Sequence, residues 1–119
     1  MISGERFPKE ERLVKTKDFT RVYKGGSFLK KGGVTLYYLP NGLEKNRIGF
    51  SMRTKFIKLA TRRNRIRRLL REVYRRTNKI LKKGYDITLV VKNDFAATVA
   101  YRDVEEIFLK LAKNAGLLL

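Results

Sequence analysis

Side chains able to do acid–base or metal chemistry are scarce in this chain of 119 residues, which contains no histidine and no cysteine. That removes disulfides, thiolate nucleophiles, Cys or His zinc sites and an imidazole base together. Eleven carboxylates remain, at Glu5, Glu10, Glu11, Asp18, Glu44, Glu72, Asp86, Asp94, Asp103, Glu105 and Glu106. They are scattered, and the adjacent pairs Glu10-Glu11 and Glu105-Glu106 cannot converge, because neighbours in sequence point apart on a helix or a strand. The glycine pairs Gly25-Gly26 and Gly32-Gly33 lack the spacing of a phosphate loop and read as turns. A protein-only active site is therefore not expected.

Binding chemistry is abundant instead. The stretch ATRRNRIRRLLREVYRR, residues 60 to 76, holds eight arginines and one glutamate. Between Lys55 and Lys83 there are thirteen basic residues and the single acid Glu72, so internal ion pairs cannot neutralise the run. A polyanion can, and gains from counterion release with every phosphate contacted. Arginine, more than lysine, suits bidentate phosphate contacts and stacking on bases. Nucleic acid is thus preferred over a merely solvated charged face. A second group gathers Phe19, Tyr23, Phe28, Tyr37 and Tyr38 among Lys17, Arg21, Lys24, Lys30 and Lys31. Rings among cations can stack unpaired bases, although Phe19 with Tyr23 reads equally well as a core stripe.

The elements that must position these groups follow from periodicity. Residues 1 to 15 are polar, contain Pro8 and read as an extended lead-in. Thr16 is expected to cap a short helix with Phe19, Val22 and Tyr23 on one face, ended by Gly25-Gly26. SFLKKGG, residues 27 to 33, reads as a loop. Val34 to Leu39 and Arg47 to Arg53 read as two strands, and Pro40-Asn41-Gly42 between them suggests an antiparallel hairpin. From about Leu59 to Leu81, Ile66, Leu69, Leu70, Val73, Tyr74, Ile80 and Leu81 fall within an arc of roughly 140° on a helical wheel. Asn64, Arg65, Arg68, Arg71, Glu72, Arg75 and Lys79 lie opposite, with Arg67 and Arg76 at the margins. Arg62 and Arg63 fall inside the apolar arc, where an unpaired guanidinium cannot be buried. Either the helix begins near them or its first turn projects past the sheet, and in both cases its N-terminal turn suits a phosphate. The apolar run of Tyr85 to Lys92 predicts a central strand, and Val104 to Ala115 a last helix with Asp103, Glu105 and Glu106 near its positive end.

The resulting order is helix, strand, strand, helix, strand, helix, an α+β sandwich. No repeat or linker divides the chain, so residues 1–119 are expected to form one domain. Net charge is +18, while 43% hydrophobic residues is too many for a disordered polycation. No apolar run is long enough to cross a bilayer, and the first residues lack the apolar stretch of a signal peptide, so the cytoplasm is expected. Binding to an anionic membrane surface competes poorly, because the apolar side of the arginine helix is needed to cover the sheet.

The run R-R-N-R-I-R-R-L-L-R-E-V-Y-R at 62 to 75 resembles the protein subunit of bacterial ribonuclease P. K-D-F-T-R-V-Y-K-G-G at 17 to 26, L-Y at 36 to 37, R-I-G-F-S at 47 to 51 and G-Y-D-I at 84 to 87 extend the match in the right order. The resemblance implies an αβββαβα order around a small four-stranded sheet, with the left-handed β-α-β crossover also found in a domain of a ribosomal protein. It further implies an endoribonuclease subunit that binds a catalytic RNA. That RNA cuts the 5' leader from precursor tRNA with magnesium ions held by RNA and substrate. By motif, Arg62, Arg63, Asn64, Arg65, Arg67, Arg68 and Arg71 would contact the catalytic RNA, with Lys55 nearby. Phe19, Tyr23, Tyr37 and Lys55 would line a cleft for the single-stranded leader. No membrane and no small-molecule substrate is implied. The alternative is a ribosomal or other structural RNA-binding protein with no part in cleavage.

Overall fold

A computed structural model describes residues 9–92 and 101–119. The first eight residues of the expected lead-in, and the stretch 93–100 with Asp94, lie outside them. Seven main elements follow one another: α1 (Thr16–Gly25), β1 (Ser27–Lys31), β2 (Val34–Pro40), β3 (Arg47–Met52), α2 (Ala60–Thr77), β4 (Tyr85–Val91) and α3 (Tyr101–Asn114). Short 3-10 turns at Lys9–Glu11 and Asn78–Ile80 complete them.

The four strands form one sheet in the order β1-β2-β4-β3. β2 is antiparallel to both β1 and β4, whereas β3 and β4 run parallel. A parallel pair needs a crossover connection, and α2 supplies it. Two readings from residue patterns are corrected here. SFLKK is a strand: it pairs with β2 through the two-residue turn Gly32-Gly33, whose positive φ values of 58° and 79° suit a tight hairpin. The hairpin expected between β2 and β3 does not form, because β4 lies between them. The continuous apolar run of β4 correctly marked that central place.

Strand alternation divides the sheet into two faces. Val34, Leu36, Ile48, Met52, Ile87, Leu89 and Val91 turn to one side and form the core with Ile66, Leu70, Val73 and Tyr74 of α2 and Val104, Phe108, Leu111 and Ala112 of α3. Burial of each large aliphatic chain there contributes about 1.5–3 kcal/mol. The end of the apolar stripe on α2 departs from the wheel. The chain tightens into a 3-10 turn after Thr77, which leaves Ile80 exposed while Leu81 is buried. The lead-in is anchored too: Leu13 is buried, Arg12 bridges to Ile48, and Tyr74 Oη donates to Glu11 Oε1 at 3.1 Å.

The other face carries α1. The position before it is Lys15, which contributes no side-chain cap, so Thr16 is the first helical residue and not the cap. Val22 is fully buried against the sheet, and the Phe19 ring lies so close to Gly49 that a Cβ there would collide with the ring and come within 2.9 Å of the Leu13 carbonyl. Polar contacts fix the other end of the helix. The Asp86 carboxylate, at the start of β4 and wholly buried, accepts Nε and Nη2 of Arg47 at 2.8 and 2.7 Å, Asn41 Nδ2 at 3.0 Å, and Nη2 of Arg21 from α1. Burial alone would raise its pKa, but the hydrogen bonds from Arg47 and Asn41 and the charges of Arg47 and Arg21 hold it below the ordinary value of 3.8.

A depressed carboxylate contributes stability that is complete above its unfolded pKa and is lost as pH falls through its folded one. Asp86→Asn should therefore cost about 3 kcal/mol at neutral pH, with a smaller difference from the unaltered protein below pH 3. Thermal melts of both proteins from pH 6 to pH 2.5 check this.

Candidate nucleic-acid interface

The outer side of α2 is a cationic ridge. Asn64, Arg65, Arg68 and Arg71 are exposed, Arg67 is half-buried at the margin, and Thr61, Asn64, Arg67, Arg68 and Arg71 line an open groove of about 380 Å³. Ile66, Leu70, Val73 and Tyr74 are buried beneath the helix and set the register that turns these arginines outward, as the wheel predicts. Glu72 holds only the far end of the run: it accepts Arg75 Nε at 3.0 Å and Arg76 Nε at 2.9 Å, which lowers its pKa despite the opposing effect of burial.

Arg62 and Arg63 are half-buried on the first turn. The helix begins just before them, and Arg63 Nη1 donates to the Ile57 and Lys58 carbonyls at 2.8 and 3.0 Å. Its apolar-arc position is satisfied by backbone oxygen atoms of the approach loop. Leu59, at the N-cap, offers no side-chain oxygen to the first turn.

A second groove of about 250 Å³ runs between the lead-in, α1, β3 and α2, lined by Arg12, Leu13, Val14, Phe19, Ile48, Gly49, Phe50, Arg67 and Arg71. Partial desolvation lowers the pKa of Arg71, and the like charges of Arg12 and Arg67 act in the same direction. An anion placed there relieves that repulsion.

The third feature is an open cleft of about 520 Å³ over the part of the sheet that α1 leaves uncovered, lined by Tyr23, Tyr37, Ser51, Arg53, Lys55, Phe56, Val90 and Lys92. The Tyr23 and Tyr37 rings meet edge to face at 4.9 Å, and Lys55 Nζ stands 5.3 Å from the centre of the Phe56 ring. Burial raises the pKa of Tyr23, while the nearby Ser51 and Thr88 hydroxyls oppose the rise. The Thr88 approach falls short of a full hydrogen bond, since its buried Oγ1 has no partner of good geometry among the described residues.

The residues singled out from sequence thus fall into three places. Asn64, Arg67, Arg68 and Arg71 share the ridge groove, while Tyr23, Tyr37 and Lys55 share the aromatic cleft. Lys55 sits beside the two tyrosines and does not line the ridge groove, and Phe19 lines the second groove, its ring 6.1 Å from Tyr23. Sequence reasoning missed Arg12, Phe56 and Lys92 as lining groups. Lys92 was within reach, because it continues the alternation Asp86, Thr88, Val90. Arg12 was not, because only the tertiary bridge to Ile48 brings it to α2.

Fold and surface define a small α+β protein whose rings and guanidinium groups line open grooves suited to a polyanion. The profile of the family Ribonuclease P matches residues 7–116. Among curated relatives, the ribonuclease P protein components of Caldanaerobacter subterraneus subsp. tengcongensis and Dictyoglomus turgidum are each 38% identical, over 92% of both chains in the first case and 94% in the second. The solved ribonuclease P protein of Thermotoga maritima superposes with a TM-score of 0.79 at 32% identity, covering 87% of this chain and 96% of that one. The chain belongs to the ribonuclease P protein family, as the protein component of that endoribonuclease. The ribosomal alternative finds no support in these relatives.

Because Arg63 ties the approach loop to the helix, Arg63→Ala should cost about 1 kcal/mol of folding stability, whereas Arg68→Ala should leave it within about 0.5 kcal/mol. Urea unfolding of the two variants distinguishes them.

Proposed function

We propose that α2 presents its ridge to the catalytic RNA of ribonuclease P while the aromatic cleft holds the single-stranded 5' leader of precursor tRNA. The observation that carries this reading is the separation of the two surfaces. Arg65, Arg68 and Arg71 stand on a helix whose one acid is engaged at its far end, which suits a folded polyanion rich in phosphate. Tyr23 and Tyr37 lie in a cleft rimmed by Arg53, Lys55 and Lys92, which suits unpaired bases on a backbone. Arg62, Arg63 and Asn64 extend the ridge to the N-terminal turn of α2. Phe19 backs Tyr23 and, with Arg12, Arg67 and Arg71, joins the two surfaces through the second groove, a place for a phosphate of either RNA.

Bond cleavage belongs to the RNA partner on this reading. Among the described residues no group of three or more carboxylates is placed to hold a metal ion. We place the magnesium ions with the catalytic RNA and the substrate. The protein's part is to screen RNA charge and to hold the leader. Among the described residues no helix is long and apolar enough to cross a membrane.

Reconstitution with the family's catalytic RNA and a precursor tRNA should raise leader cleavage at low magnesium, and a folded protein without that effect would refute the proposal. Affinity for the catalytic RNA should fall on the order of a thousandfold between 50 and 200 mM salt if six or more phosphates are engaged. Arg65→Ala should weaken that affinity while sparing leader preference, and Tyr37→Ala should do the reverse; filter binding with each RNA separates them.

A further inference from the structure

We propose that the edge strand β1 prolongs the single-strand track beyond the cleft, with Phe28 as a stacking platform and Lys30 as a phosphate contact for leader nucleotides farther from the cleavage point. The inference rests on the leader reading above and adds a subsite to it.

The register places Phe28 opposite Tyr37 and Lys30 opposite Thr35, so both turn to the face that carries the cleft. The rings form a row: Phe19 to Tyr23 at 6.1 Å, Tyr23 to Tyr37 at 4.9 Å, and Tyr37 to Phe28 at 5.4 Å. That row runs from α1 across β2 to the rim of the sheet. Phe28 is not needed to fill the core, which Leu29 of the same strand reaches from the other side, and it remains 53% exposed. A large bare ring on an edge strand is a liability that proteins usually avoid. Here Lys30 Nζ stands over it at 5.9 Å from its centre.

A groove of about 290 Å³ by the β1–β2 turn, lined in part by Lys30, Lys31, Thr35 and Lys92, continues the cleft, since Lys92 borders both. None of the described residues lining either groove is a carboxylate. An exposed ring flanked by cations with no carboxylate among the described lining residues, continuous with a cleft of similar composition, fits a strand of unpaired nucleotides better than a polypeptide. The occupant is accordingly the distal part of the leader.

The test uses holoenzyme assembled from the full chain and the catalytic RNA, with precursor tRNAs whose leaders lengthen stepwise and carry 2-aminopurine at the distal positions. With the unaltered protein, affinity should rise a second time once the leader extends past the cleft, and the distal 2-aminopurine should be quenched. Phe28→Ala and Phe28→Leu should each reduce the ratio of long-leader to short-leader affinity by about fivefold and abolish the distal quenching, while Phe28→Tyr retains both. Lys30→Ala should lower the salt dependence of long-leader binding by about 0.7 in log–log slope. Unchanged long-leader affinity and quenching in Phe28→Leu would overturn the proposal, as would an equal loss for long and short leaders in Phe28→Ala. If Tyr37→Ala leaves binding of every leader unaltered, the cleft reading itself fails; if it weakens all leaders while Phe28→Leu weakens none, only the added subsite fails.

Discussion

A single buried carboxylate ties α1, the loop after β2 and strand β3 to strand β4. Asp86, the second residue of β4, is reached by Arg47 from the neighbouring parallel strand, by Asn41 from the loop after β2, and by Arg21 from α1. Breaking such a pair on one side leaves charge without compensation in a place that water hardly enters. Position follows from it as much as stability. α1 is free of the main core, so its seat on the sheet depends on Val22, on the contact of Phe19 with Gly49, and on this clamp. If the clamp opened, Tyr23 would lose its relation to Tyr37, and the cleft would lose its wall.

Charge is distributed with the same economy. The chain has few acids, and several of those described are committed to structure: Asp86 to α1, Glu11 to the Tyr74 hydroxyl, and Glu72 to Arg75 and Arg76. Each commitment ties an acid to a structural contact, and Glu72 meets only Arg75 and Arg76 at the end of α2. Burial, and after it the charge and hydrogen bond of Glu11, raise the pKa of Tyr74 above its ordinary value.

The residue pattern disclosed some of this and concealed the rest, for physical reasons. α1, α2 and α3 were legible because each buries one stripe, and stripes are periodic. β4 was legible because its apolar residues Ile87 and Leu89 to Val91 make the run expected of a strand flanked on both sides. β1 was not, because an edge strand with four exposed positions in five looks like a loop. Pairing was misread where Pro40-Asn41-Gly42 resembled a hairpin turn, since turn chemistry says where a chain bends and not which strand it meets next. Of the interface, the ridge could be drawn on a wheel, and the family resemblance brought Tyr23 and Tyr37 to one cleft. Placing Phe19 in a different groove, and adding Arg12 and Lys92, required the tertiary fold.

The outer rim of the sheet has one more consequence. Among the described residues no strand pairs with the far side of β1, which leaves a row of backbone donors and acceptors to which a second copy could add its own ribbon. Lys30 and Lys31 sit side by side on that rim and project to opposite faces, so an approaching identical rim would bring ammonium groups against ammonium groups above and below the pleat. Those like charges oppose edge-to-edge association of two copies through β1.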